Sequence, residues 1–247
     1  MAITGFPEGP PTRVGTSIGD TVGGVTSLVA LLAALYCKAQ TGLGQKVEIA
    51  LVDSLLALST PDYVRYFVEG LEPVRMGNYY RSWAPYGTYQ AKDGYYNIGC
   101  GTDVFFFKLA EAIGHPEMIE DPRFQTHPDR ITNIEAMDAI INEWAMQRSV
   151  KEVCAIIDAD GVPCAPVYTI RDLEKDEHIA GAREMFPTIN QPGIGEFQLT
   201  NIPVRFASSG LAPIHAAPDL GAHNEEIFGA LGYTAEELSR LQGQGII

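Results

Sequence analysis

Apolar and polar positions change rhythm several times along the chain, and each change predicts an element. Residues 1–19 hold Gly5, Pro7, Gly9, Pro10, Pro11 and Gly15, which predicts an extended or looped entry. From Thr21 to Ala39 the chain is rich in Leu and Ala and reads as a helix despite Gly23 and Gly24. Asp20 stands where an N-cap belongs, and Thr41-Gly42-Leu43-Gly44 ends the run. Gln45–Leu51 alternates apolar and polar positions and predicts a strand. Asp53–Glu69 reads as another helix, with an interruption expected at Pro61.

Gly70–Pro85 carries Pro73, Gly77, Asn78 and Pro85 among aromatics and reads as a linker or functional loop. Tyr86–Gln90 and Tyr95–Gly99 flank Lys92-Asp93-Gly94, a strong hairpin signal. Helical periodicity follows over Asp103–Ile113, Arg130–Gln147 and Val150–Ala159. Gly161–Tyr168 carries two prolines and leads to a short helix, Ile170–Lys175. Phe197–Leu199 reads as a strand and Asn224–Leu231 as a helix. Thr234-Ala235-Glu236-Glu237 is a capping box that opens a last helix to Leu241. Helix, strand and helix in quick succession suggest an α/β architecture.

Composition narrows the function. With 247 residues and 46% apolar content the chain is long enough and apolar enough to fold around a core. A formal net charge of -14 argues against a nucleic-acid partner, and none is expected, because phosphate binding needs clustered Lys and Arg. The uncharged run Val22–Cys37 is 16 residues long, below a membrane span of about 20 residues, and reads as a buried core helix. No membrane association is expected. Cys37, Cys100, Cys154 and Cys164 form no C-x-x-C pair and no metal spacing with the five histidines, so free thiols in a cytoplasmic protein, with no metal, are expected.

Among reactive groups Asp20 ranks first. A carboxylate at a helix N-terminus feels the positive end of the macrodipole and stays ionised. Gly19, Gly23 and Gly24 leave room for a bulky thioester to approach the backbone, whose N–H groups can hold an oxyanion. An N-cap with no chemistry is the competing reading of the same local sequence. The histidines have no Ser, Cys or Asp partner at a recognisable spacing. Gly99-Cys100-Gly101 is not a dinucleotide fingerprint, and no G-x-S-x-G elbow is present. Tyr79, Tyr80, Trp83 and Tyr86 could line a ligand pocket or serve packing and subunit contact; the sequence leaves both open.

The order of several short motifs is more specific. They include Pro11-Thr12-Arg13-Val14-Gly15, Ile18-Gly19-Asp20, Thr41-Gly42-Leu43-Gly44-Gln45-Lys46-Val47 and Arg75-Met76-Gly77-Asn78. Further on come Ala84-Pro85-Tyr86-Gly87, Asp121-Pro122-Arg123-Phe124, Gly161-Val162-Pro163-Cys164-Ala165-Pro166-Val167 and Ala217-Pro218-Asp219-Leu220-Gly221. In these motifs the chain resembles the class III CoA-transferases of the CaiB/BaiF type, which include formyl-CoA transferase and α-methylacyl-CoA racemase. The resemblance implies the C-terminal portion of that fold: part of a large α/β domain (1–75), a smaller α+β domain (76–185), and a return to the large domain (186–247). It implies that Asp20 is the nucleophile that forms an aspartyl-CoA thioester, with acyl-CoA and a carboxylic acid as substrates and no bound cofactor. Gly19, Gly23, Gly24, Asn78, Tyr79 and Trp83 fall at substrate-contacting positions.

The family's upstream segment, with much of the CoA site, has no counterpart here, in keeping with the scattered basic residues. The family's interlocked dimer implies a homodimer or association with a separate N-terminal half, and apolar surface exposed on the lone chain. Where formyl-CoA transferase has a glycine run, this chain reads Tyr79-Tyr80-Arg81-Ser82-Trp83-Ala84-Pro85, which implies a different acid. Two other readings stand beside the transferase: a racemase using Asp20 as acid/base, and a non-catalytic subunit that completes a partner chain.

Overall fold

A long helix leads the structure because Leu and Ala keep helical order across two glycines. In the computed structural model, which describes residues 1–210 and 213–247, α1 runs from Ile18 to Thr41. Gly42, at φ 76°, closes it by donating its N–H to the Lys38 carbonyl at 2.8 Å. The N-terminus differs from the expected one. Ser17 occupies the N-cap position, and Asp20 lies inside the first turn. The Thr21 N–H donates to the Ser17 carbonyl at 3.0 Å, so the backbone is already helical before Asp20.

The strand expected over Gln45–Leu51 does not form. Leu51 opens α2 (Leu51–Leu58), and Ala50 is extended at φ -108° and ψ 136° without a ladder partner among the described residues. An alternating pattern makes a strand only where a second strand takes its N–H and C=O groups. The expected helix Asp53–Glu69 is divided at Ser59, and Pro61 sits in the first turn of α3 (Thr60–Glu69), where its missing N–H does no harm.

The burial expected for α1 is also corrected. Gly23 is its one buried residue, and Leu28, Leu32 and Leu35 are each more than half exposed. By length and composition the helix could cross a membrane, a test that core helices of soluble proteins also pass. The described residues cover one narrow face of it, fully at Gly23 and partly at Gly19, Val22, Thr26, Ala30 and Ala34.

The chain divides into two compact units, Met1–Val167 and Tyr168–Ile247. The first holds the main core. β1 (Tyr86–Ala91) and β2 (Gly94–Gly99) form the expected hairpin, in register Tyr89 to Tyr96. A third strand that the periodicity did not reveal, β3 (Cys164–Pro166), pairs antiparallel with β2, placing Cys164 opposite Ile98. Two residues between Pro163 and Pro166, with Pro166 itself the third of the strand, carry no alternation to read. Tyr89, Ala91, Tyr96 and Ile98 turn inward against α4 (Asp103–Ala112), α5 (Glu117–Glu120), α6 (His127–Thr132), α7 (Ile134–Ala145) and α8 (Val150–Ala159). The expected single helix Arg130–Gln147 is two, because the Thr126/Asp129 capping box starts one early and Asn133 separates it from the next.

Arg130 is fully buried among these helices. Its Nε donates to the Ala84 carbonyl at 3.0 Å and its Nη1 to the Phe124 carbonyl at 2.8 Å. Its Nη2 pairs with Asp103, and the guanidinium lies 4.5 Å from the Phe106 ring centroid. One side chain thus ties the loop before β1, the start of α4 and the turn before α6.

The second unit contains α9 (Ile170–Lys175), a π-helical segment (Glu177–Ala182), the hairpin β4 (Thr188–Gln191) and β5 (Gly195–Gln198), α10 (Asn224–Ala230) and α11 (Ala235–Gly243). The expected strand at Phe197–Leu199 begins earlier, at Gly195, and its partner β4 was not visible as a pattern. The capping box at Thr234 and Glu237 forms as read.

Replacing Arg130 by Ala leaves the buried carbonyls of Ala84 and Phe124 without donors and opens a cavity beside Phe106, and is expected to lower stability by about 2–5 kcal/mol in urea unfolding. A loss under 1 kcal/mol, read against about 1 kcal/mol for an exposed pair, would show that the network contributes little.

Candidate active site

The site begins with a helix pair. A Cβ on Gly19 would lie 3.4 Å from Leu55 Cδ1, and one on Gly23 would lie 2.2 Å from Leu51 Cδ2. Residues four apart share a helix face, so these two glycines form the stripe against which α2 packs. Gly19 meets the later leucine and Gly23 the earlier one, so α1 and α2 run antiparallel. Gly24 points away, with open space where a side chain would stand. Asp20 is exposed in the first turn, and among the described residues no side-chain hydrogen bond or ion pair engages its carboxylate.

The antiparallel pairing brings the loop after α3 to the same end. Leu58 lies three residues beyond Leu55, a rise of about 4.5 Å past Gly19, and it lines a cavity of about 360 Å³. The cavity wall also carries Asp62, Arg65, Tyr79, Tyr80 and Arg81. A second cavity of about 270 Å³ adjoins it through Gly77, Tyr79 and Tyr80, and Asn78 lines that one. Asn78 and Tyr79 thus line adjoining cavities, and Asp20 lines neither of the two. Trp83 is placed differently. It packs edge-on to His127 at 4.3 Å between ring centroids, and His127 Nε2 lies 3.5 Å from Asp103 Oδ1. Burial, and then the Arg130 charge, lower the His127 pKa.

The loop is held at several points. The Tyr80 N–H donates to the Tyr86 carbonyl at 2.9 Å and the Thr88 N–H to the Asn78 carbonyl at 3.2 Å. A Cβ on Gly87 would lie 2.6 Å from that Asn78 oxygen, so glycine is required for this close approach. Arg75 donates to the carbonyls of Phe6, Pro7 and Gly9, fastening the entry segment beside the loop. Arg81 pairs with Asp62 at 3.5 Å and donates to the Val74 carbonyl.

Tyr79 links the loop to the core. Its hydroxyl donates to Asp138 Oδ2 at 2.5 Å. Burial, then this hydrogen bond, push the tyrosine pKa up to about 12. Burial also raises the Asp138 pKa, against the opposing hydrogen bond from Tyr79. The Tyr89 hydroxyl influences the same carboxyl, but neither it nor Asp138 Oδ1 completes a hydrogen bond. Arg65 and Arg81 at the cavity and Asp138 beneath it had not been singled out. Asp138 lies 59 residues from Tyr79, so no local spacing announces the pair. Among the described residues, no group of His, Cys, Asp and Glu could hold a metal ion.

The model of CoA-transferase family III matches residues 1–224. The chain belongs to CoA-transferase family III. It is 35% identical over its whole length to succinyl-CoA–D-citramalate CoA-transferase of Chloroflexus aurantiacus, covering 61% of that protein. It is 33% identical to formyl-CoA:oxalate CoA-transferase of Streptomyces coelicolor, covering all of this chain and 64% of that one. Its fold matches a CaiB/BaiF family protein from Brucella suis with a TM-score of 0.74 and 32% identity, over 94% of this chain and 60% of that one. The family III chain thus spans about three-fifths of the length of each of these relatives. Its mixed helices and small antiparallel sheets are the α/β architecture expected of the family.

The Tyr79–Asp138 pair makes a pH prediction. The native Asp138 pKa is raised, so native protein binds more protons than unfolded protein above the ordinary Asp value of about 3.9. Its contribution to stability is full below that value and is lost as pH rises through the native pKa. Asp138→Asn is therefore expected to gain stability relative to wild type as pH climbs through this window in urea titrations. A pH-independent difference would show that Asp138 titrates normally.

Proposed function

We propose that this chain carries the nucleophile of a CoA-transferase that moves coenzyme A between carboxylic acids through an aspartyl-CoA thioester at Asp20. The observation that carries the reading is a carboxylate, exposed and among the described residues unpartnered, in the first turn of a 24-residue helix of a chain that belongs to CoA-transferase family III. The helix N-terminus favours the ionised carboxylate. Asp20 attacks the thioester carbonyl of an acyl-CoA, the C–S bond breaks, and a mixed anhydride forms. The released CoA thiolate attacks the Asp20 carbonyl carbon and expels the donor carboxylate. An acceptor acid reverses the two steps.

The candidate substrate contacts have distinct duties in this reading. Gly24 leaves open backbone for the thioester, while Gly19 and Gly23 set the position of Asp20 by letting α2 close on α1. Asn78 and Tyr79 face the acid, with Trp83 supporting the loop from the His127 side. Arg65 and Arg81 line the cavity but are paired with Glu69 at 3.0 Å and Asp62 at 3.5 Å, so a second substrate carboxylate would have to displace one of these partners.

The open apolar face of α1 supports association with further protein, either a second copy or a chain carrying the rest of the family's length. That face also favours a second reading, a subunit that completes the site of a partner.

Incubation with short acyl-CoAs followed by intact-mass measurement tests the mechanism. A CoA-sized adduct is expected on wild type and absent from Asp20→Ala. Exchange of the substrate α-proton without an adduct would point to racemase chemistry. Neither signal, together with tight capture of an upstream family half, would support the subunit reading.

A further inference from the structure

Cys154 and Cys164 stand apart from the proposed transfer chemistry. Cys154 lies on α8 and Cys164 on β3, joined by the turn through Gly161. The Cys164 thiol donates to the Cys154 sulfur across 3.4 Å. That separation exceeds a disulfide bond of about 2.0 Å by about 1.4 Å, within reach of a small side-chain rotation. Both side chains are half-buried, so small oxidants have a route to them while the core excludes larger ones. Cys100, in contrast, is buried, and burial pushes its thiol pKa up to about 12.

We infer that Cys154 and Cys164 form an oxidation site, a dithiol that a hydroperoxide converts to an intrachain disulfide bridging α8 and β3. Cys154 is the attacking sulfur because the hydrogen bond from Cys164 stabilises its thiolate and shifts its pKa down, while the donor thiol shifts up. The Cys154 thiolate attacks one peroxide oxygen, the O–O bond breaks, and the leaving alkoxide or hydroxide takes up a proton. A sulfenic acid results. The Cys164 sulfur then attacks the sulfenyl sulfur. The S–S bond forms, the S–O bond breaks, and water leaves with the thiol proton. The two sulfurs together give two electrons to the peroxide. The nearby Asp158 carboxylate opposes the thiolate on Cys154 but is outweighed there by the Cys164 hydrogen bond.

The test uses the full chain with exposed Cys37 replaced, Cys37→Ser, to remove intermolecular coupling. After titration with hydrogen peroxide, non-reducing peptide mapping is expected to show a peptide joined through Cys154 and Cys164, with a mass loss of about 2 Da. The same protein with Cys164→Ser should accumulate sulfenic acid at Cys154, captured by a dimedone-type probe, with labelling about tenfold above that of the Cys164 parent, where the disulfide consumes it. Free Cys154 and Cys164 at peroxide levels that fully oxidise Cys37 in the unsubstituted chain would overturn the inference. So would over-oxidation of either cysteine without a disulfide.

Discussion

A buried guanidinium organises the first unit. Arg130 has no access to water, so each of its donors must find an acceptor inside the protein. It uses the carbonyls of Ala84 and Phe124 and the carboxylate of Asp103, and it stacks on Phe106. These partners come from three separate stretches of chain. The loop that enters β1 and the helix that leaves β2 are thereby fixed to one another. Trp83 and His127 lie on the edge of the same network, which is why Trp83 is turned from the cavities.

A second constraint acts on the segment that carries Asp20. Two glycines on one face of α1 let α2 approach until leucine side chains touch its backbone. That contact sets the antiparallel direction of the helices and brings the end of α2, with the cavity it lines, to the end of α1 that bears the carboxylate. The remaining faces of α1 are apolar and open. A helix so rich in Leu and Val is stable in water only when another surface covers it. The same chain thus combines a well-filled core around β1–β3 with a helical segment whose apolar surface the described residues leave largely open.

Tyr79 joins the two regions. Its ring lines both cavities while its hydroxyl reaches into the first core at Asp138. A buried carboxylate resists ionisation, and the tyrosine donor partly offsets that resistance. The position of the cavity wall is therefore sensitive to the packing of α7, far from the loop in sequence.

Much of this was legible in the sequence alone. Asp93-Gly94 between aromatic runs determined the hairpin, Thr234 with Glu237 the last helix start, and ordered short motifs the family. These signals are local: a turn dihedral, a capping hydrogen bond, a helical period. Tertiary structure alone decided the rest. Gln45–Ala50 alternates like a strand yet pairs with nothing described, while Cys164–Pro166 lacks any such pattern and is a strand because β2 lies beside it. The burial of Arg130, the meeting of Tyr79 with Asp138, and the closeness of Cys154 to Cys164 follow the same rule. A hydrogen-bond ladder or a buried charge is stabilised by partners distant in the chain, and a local pattern carries no record of which partner will arrive.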